Sequence, residues 1–221
     1  MNTSRPARAT CFRVRRNSFR ELRVSGERRI GPWICRESRD IYQNPWISIR
    51  EDAVTRPDGN PGIYGVVEHA NLAIGIVALN AHNEIVLVGQ HRYPLDYYSW
   101  ETPQGGCPKD SAPEASAIRE LREETGVEAA RWDYLGCLVL SNAVTDEVGH
   151  LFLARDLTQH EPQPEPTEVL EVRWLPFEEA FNEAASGVIT DSVSCVALQR
   201  ARHFLDLEKR GLPPPAYRRQ P

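Results

Sequence analysis

The sequence predicts an α/β chain of the α+β kind, in which a mixed sheet lies between helical layers and a small all-β subdomain comes first. Three observations carry that prediction. Short apolar, β-branched runs recur on both sides of one long amphipathic helix, so strands from before and after it must share a sheet. A second long helical run, 192–209, closes the chain over that sheet. Near the N-terminus, Asp58-Gly59 is a strong hairpin signal between two runs that stand apart from the rest.

The elements follow in order. Residues 1–29 carry nine arginines against Glu21 and Glu27, a net charge of +7 that leaves −12 for the remainder of a chain whose total is −5. This basic arm offers little to a core and reads as disordered. Residues 46–54 and 62–69 alternate as strands around Arg-Pro-Asp-Gly-Asn-Pro, and 30–69 is the expected N-terminal β subdomain. Apolar strands follow at 72–79 and 84–91, then 97–101, a glycine turn at 103–106 and the long helix. Beyond it, 132–140 and 149–154 read as strands, 159–167 as a Pro- and Glu-rich loop, and 169–175 as a further strand. Helices at 177–185 and 192–209 end a main domain of 70–209, and 210–221 reads as a disordered tail.

Composition excludes several classes. With 221 residues, 41% of them hydrophobic, the chain has material for one self-sufficient domain and an appendage. No stretch approaches the roughly 18 apolar residues of a membrane span. Cys11, Cys35, Cys107, Cys137 and Cys195 are odd in number and scattered without a CxxC pair, so neither a disulfide framework nor a zinc ribbon is expected. A reducing cytoplasm is the expected compartment. A basic arm of this kind can bind nucleic acid or an acidic surface but is more often a disordered leader, so nucleic acid is not the expected partner. This one lacks an apolar h-region, so Arg15-Arg16 is not a convincing export signal.

The chemistry concentrates in Gly105-Gly-Cys-Pro-Lys-Asp-Ser-Ala-Pro-Glu-Ala-Ser-Ala-Ile-Arg-Glu-Leu-Arg-Glu-Glu-Thr-Gly-Val127. At 100° per residue, Ala117, Ile118, Leu121 and Thr125 fall within an arc of about 100°, and Glu120, Glu123 and Glu124 fall within another beside it. The first arc can pack on a core. The second is a cluster of like charges, each i,i+3 or i,i+4 pair costing about 0.2 to 0.5 kcal/mol. A divalent cation answers such a patch, and hard carboxylate oxygens suit Mg²⁺ or Mn²⁺. A serine N-cap at Ser111, Pro113 in the first turn and Glu114 at N3 make a good helix start.

This segment resembles the Nudix box, G-x5-E-x7-R-E-U-x-E-E-x-G-U with U apolar. It matches at Gly105, Arg119, Glu120, Leu121, Glu123, Glu124, Gly126 and Val127, with Ser111 standing where the family has its first glutamate. The resemblance extends over about 45–206. Val67-Glu68-His69, Gly89-Gln-His-Arg-Tyr-Pro94, Trp100-Glu-Thr-Pro-Gln-Gly-Gly106 and Thr190-Asp-Ser192 are similar to the ADP-ribose pyrophosphatase branch. It implies the Nudix α/β/α sandwich, and a homodimer in which the N-terminal strands cross to the partner. It also implies metal-dependent hydrolysis of a nucleoside diphosphate linked to a sugar, ADP-ribose to AMP and ribose 5-phosphate.

By the same resemblance, Glu120 and Glu124 are the main metal ligands, Glu123 serves a further ion and the Gln104 carbonyl completes the cage. Arg119 orients Glu120 or Glu123, and Arg92 holds a phosphate. Glu101 belongs to the substrate site. Glu168 is the candidate general base, with Glu165 its rival, and Glu147 matches an acidic residue that contacts substrate. Trp46 and Tyr64 are candidate stacking partners for the base, with core packing as the alternative for each. Asn142 and Ala143 stand where ADP-ribose hydrolases have proline and glycine, so GDP-mannose and UDP-glucose are alternative substrates. A non-catalytic ADP-ribose sensor is a reading of a different class; it usually carries a damaged box, and this one keeps all three helix carboxylates. An RNA-decapping hydrolase or a mutagenic-nucleotide cleanser is the third reading, disfavoured by the N-terminal subdomain.

Overall fold

The computed structural model describes residues 26–162 and 169–219. Within these, the chain divides into two compact units, one formed by 26–41 with 51–64 and the other by 42–50 with 65–219.

The first unit is antiparallel. Strands β1 (Arg28–Ile30), β2 (Trp33–Gln43), β3 (Ile47–Thr55) and β4 (Pro61–His69) follow one another in a four-stranded sheet, of which 42–43, 47–50 and 65–69 are counted with the second unit. The hairpin at Asp58-Gly59 forms as its residues demand: Gly59 adopts φ 82° and the Asp58 carboxylate accepts the Asn60 N–H at 3.0 Å. β1 and β2 have no counterpart in the sequence reading. β2 exposes both faces, with only Cys35 buried, so it shows no two-residue period to find. A boundary at 29 also cuts β1, where Arg28 pairs with Asp52 at 3.7 Å.

The second unit has the expected mixed sheet between helical layers. β5 (Asn71–Ala78) lies between β8 (Gln104–Pro108), antiparallel to it, and β10 (Val148–Gln159), parallel; β9 (Val127–Val139) completes the order β8-β5-β10-β9. β6 (Glu84–Arg92), β7 (Tyr97–Glu101) and β11 (Glu171–Pro176) form an antiparallel three-stranded sheet. Alternation along β5 divides the core. Ile74, Ile76 and Ala78 pack with Ala117 and Leu121 of α1 (Pro113–Thr125), while Val77 packs with α2 (Phe177–Ser186) and α3 (Ser192–Lys209) through Ala180, Val193 and Leu198. Each fully buried aliphatic side chain contributes about 1.5–3 kcal/mol, which makes these two layers the main support of the site.

Three expectations change here. The glycine turn at 103–106 is largely strand β8, with Cys107 fully buried. The cap of α1 is Ala112 rather than Ser111, with no side-chain cap bond, and Pro113 opens the helix. On α1 itself, Ile118 is 45% exposed while Glu124 is buried, so the packing arc is rotated toward the carboxylates. Of the tail, Tyr217 packs against the core beneath Arg200, whose guanidinium lies 5.9 Å from its ring.

Candidate active site

The site grows from the junction of β7, β8 and α1. Glu101, the last residue of β7, is 2% exposed, and such a carboxylate must be paired. Arg92, at the end of β6, supplies the partner: its Nε donates to Oε1 at 2.8 Å and a terminal nitrogen donates to Oε2. This hydrogen bonding raises the Arg92 pKa against the opposing effect of burial, and the negative charges of Glu101, Asp191 and Glu124 add to it. Arg92 is therefore a fixed cation among three acids.

β8 carries the next part. The backbone N–H of Gln104 donates to Glu124 Oε2 at 3.1 Å, tying the buried carboxylate to the strand. The Gln104 side chain turns to the N-terminus of α3, where its Nε2 donates to Asp191 at 2.6 Å and to Ser194 Oγ at 3.0 Å. Asp191 also caps α3 by accepting the Ser194 N–H at 2.7 Å, and Ser194 Oγ accepts the Thr102 N–H at 2.9 Å. So α3 pins the turn from which β8 starts.

Glycine at 105 lets Glu120 approach closely. A Cβ there would overlap the Glu120 carboxylate, so the acid lies directly against the strand backbone. Arg119 joins the remaining acids, donating to Glu120 at 2.6 Å, to Glu123 at 2.7 Å and to the Gly106 carbonyl at 3.0 Å. Burial opposes the charge on Arg119, but Glu120 and Glu123 outweigh it and the net pKa is raised.

No group of three or more His, Cys, Asp or Glu converges into a ready metal cage among the described residues. The donors present do fit a hard divalent ion. Glu120 and Glu124 both meet the backbone at 104–105, and Mg²⁺ binds through one or two carboxylates while keeping waters and substrate phosphates. The space left by Gly105 is the one the Glu120 carboxylate fills.

The other expected residues lie elsewhere. Glu147 ends the 141–147 loop, with a carboxylate oxygen 3.7 Å from His69 Nδ1. That loop is fastened to β4 by Val67 N–H to the Val144 carbonyl at 2.8 Å, and by Asp146, which accepts the His69 N–H at 2.8 Å and pairs with Lys109 at 2.9 Å. Trp46 is 70% exposed in the second unit, and packing does not account for it. Tyr64 belongs to the first unit, edge-on to Trp33 at 5.3 Å. Glu165 and Glu168 lie outside the described residues. Sequence reasoning missed Asp191, Ser194 and Thr102 as parts of the site. The available signal was an aspartate immediately before an apolar helical run, an N-cap pattern.

Comparison with known proteins agrees with this architecture. Residues 69–201 match the NUDIX domain and residues 33–67 match the nucleoside diphosphate sugar hydrolase N-terminal domain. The methanol dehydrogenase activator of Bacillus methanolicus is 30% identical over 74% of this chain and 89% of its own length. The ADP-ribose pyrophosphatase of Bacillus subtilis (strain 168) is also 30% identical, over 72% of this chain and 86% of its own. Among solved structures, an ADP compounds hydrolase superposes with a TM-score of 0.69 over 79% of this chain and 93% of that one, at 16% identity, a likeness of fold. With its box helix, buried Glu124 and glycine-cradled Glu120 on that fold, the chain belongs to the Nudix family.

Proposed function

We propose that this chain hydrolyses the pyrophosphate bond of a nucleoside diphosphate linked to a sugar, with ADP-ribose giving AMP and ribose 5-phosphate as the principal reaction. The observation that carries it is the placement of Glu120 and Glu124 against the backbone at 104–105, one cradled by glycine and the other buried and hydrogen-bonded. The relatives that bear ADP-ribose pyrophosphatase as their name support the substrate class.

Mg²⁺ or Mn²⁺, held by Glu120 and Glu124 with Glu123 and the Gln104 carbonyl contributing, would neutralise phosphate charge and orient the attacking water. The chain's own residues do the rest. Arg119 fixes Glu120 and Glu123 through two charge-assisted bonds. Arg92, held in place by Glu101, presents its guanidinium to a phosphate. We assign proton acceptance to Glu168, substrate contact to Glu147, and base stacking to Trp46. The protein works as a homodimer through its N-terminal strands, a reading supported by Ile41 and Ile63, which are 48% and 71% exposed on that sheet. Free Cys35, Cys107, Cys137 and Cys195 suit a reducing cytoplasm, and among the described residues no helix is long and apolar enough to cross a membrane.

Incubating ADP-ribose, UDP-glucose and GDP-mannose with the protein, with Mg²⁺ or with chelator, tests the reading. Two monophosphate products that appear only with metal are expected. Failure to cleave any of the three with Mg²⁺ or Mn²⁺ would overturn it.

A further inference from the structure

A cavity of about 820 Å³ opens at the N-terminal end of α1 within the second unit. None of the residues assigned to catalysis lines it. Ile118, on its wall, lies about 160° around the helix from Glu120 at 100° per residue. The volume falls in the roughly 300–1,000 Å³ range of small-molecule sites.

Its composition is specific. Phe152, Tyr134 and His150 form a continuous aromatic wall, with Tyr134 5.4 Å from Phe152 and 6.0 Å from His150 between ring centroids. Apolar Leu72 and Ile118 also line the cavity, and Ile118 is 45% exposed. His150 is only 7% exposed; Nδ1 bonds the Tyr134 hydroxyl at 2.9 Å, and Nε2 makes no hydrogen bond among the described residues. Burial, helped by Arg219, lowers the imidazole pKa, so His150 is neutral at pH 7 and meets a ligand as a polar aromatic ring.

The charges are placed around that wall. Lys109 is paired with Asp146, Glu114 contributes one carboxylate, and Arg219 has no ion-pair partner among the described residues, its guanidinium lying 5.3 Å from the Tyr134 ring centroid. The helix end itself has no side-chain cap: Ala112 offers no side-chain acceptor and Pro113 carries no N–H, while the Ala115 N–H donates to the Ala112 carbonyl at 3.1 Å. An anion can serve both Arg219 and that helix end.

We propose that this cavity is a second, non-catalytic ligand site for a small molecule that joins a flat aromatic ring to one anionic group. The ring lies on the Tyr134–Phe152 wall, with His150 Nε2 as a hydrogen-bonding partner. The anion sits between Arg219 and the start of α1. Because Ile118, on the cavity wall, and Glu120 occupy different sides of α1, ligand and substrate can be bound together.

The test titrates 8-anilinonaphthalene-1-sulfonate, an aromatic anion, into the full chain and into two variants at exposed positions, Arg219→Ala and Ala115→Trp. Saturable fluorescence enhancement is expected for the unaltered protein, with affinity at least tenfold weaker in both variants and with melting temperature and ADP-ribose turnover unchanged. The fluorescence readout does not depend on turnover. Absence of saturable binding, equal binding by all three proteins, or loss of binding accompanied by loss of turnover would each overturn the proposal.

Discussion

Gly105→Ala isolates the contact on which the site rests. Gly105 does not use positive φ, so its backbone accepts alanine, and the substitution should gain about 0.5–1 kcal/mol in strand stability. The added Cβ, however, would overlap the Glu120 carboxylate, and real Cβ contacts essentially never fall under 3.0 Å. β8 cannot retreat, because it is paired with β5 at Ile74↔Gly105 and held by the Ile76 N–H to Pro103 carbonyl bond of 2.9 Å. The side chain yields instead, by about 1 Å or more, at a rotamer cost of about 0.5–1.5 kcal/mol. Stability is therefore nearly unchanged, whereas a displacement of about 1 Å in a catalytic group costs on the order of 100-fold in rate. Steady-state kinetics on ADP-ribose with Mg²⁺, together with a thermal melt, separates the two effects. Wild-type kcat in Gly105→Ala would refute the reasoning, since Glu120 would then be working from a position the variant forbids.

Other outcomes follow from the same structure. Mg²⁺ or Mn²⁺ at about a hundred times its Kd should stabilise the fold by about 2.7 kcal/mol, roughly 5–10 °C in Tm; an equal rise in Glu120→Gln/Glu124→Gln would place the ion elsewhere. The depressed pKa of His150 means that, below its ordinary value of 6.5, the unfolded chain takes up a proton that the folded protein resists. The stability contributed by neutral His150 is present above pH 6.5 and is lost as pH falls toward the folded pKa, so Tm should decline less between pH 7.5 and 5.5 in His150→Phe; identical declines would contradict this. Asn142→Pro, in the turn closed by Val144 N–H to the Ser141 carbonyl at 2.9 Å, should shift kcat/KM toward ADP-ribose over UDP-glucose by about 1–3 kcal/mol. An unchanged ratio would remove this turn from specificity.

The parts of the fold that were legible in the sequence are those whose burial leaves an apolar pattern. Ile74, Ile76 and Val77, or Ile85 through Val88, declare strands because their burial forces apolar residues into a short run. β2 has almost nothing buried, and β8 is written Gln-Gly-Gly-Cys-Pro, a turn by composition, with Glu120 and Asn71 approaching closely where Gly105 and Gly106 carry no side chain. Helical periodicity placed Ile118 in the core and Glu124 outside. The sheet reverses both, since it meets α1 along Ser116, Ala117, Leu121, Glu124 and Thr125. The box acids are local and could be read from spacing. The support that Asp191 and Ser194 give to Gln104 spans 87 and 90 residues, a distance across which a single sequence carries no pairing signal.

The most direct test of the central claim is turnover of ADP-ribose by Glu124→Gln with saturating Mg²⁺. The glutamine keeps the shape of the buried side chain and can still accept the Gln104 N–H, but it removes the charge that would hold the ion. Loss of residues that merely orient metal ligands costs about 10–100-fold, so loss of a ligand should lower kcat/KM by at least about 100-fold with the melting temperature little changed. Near-normal hydrolysis by Glu124→Gln would contradict the assignment of this helix as the catalytic centre.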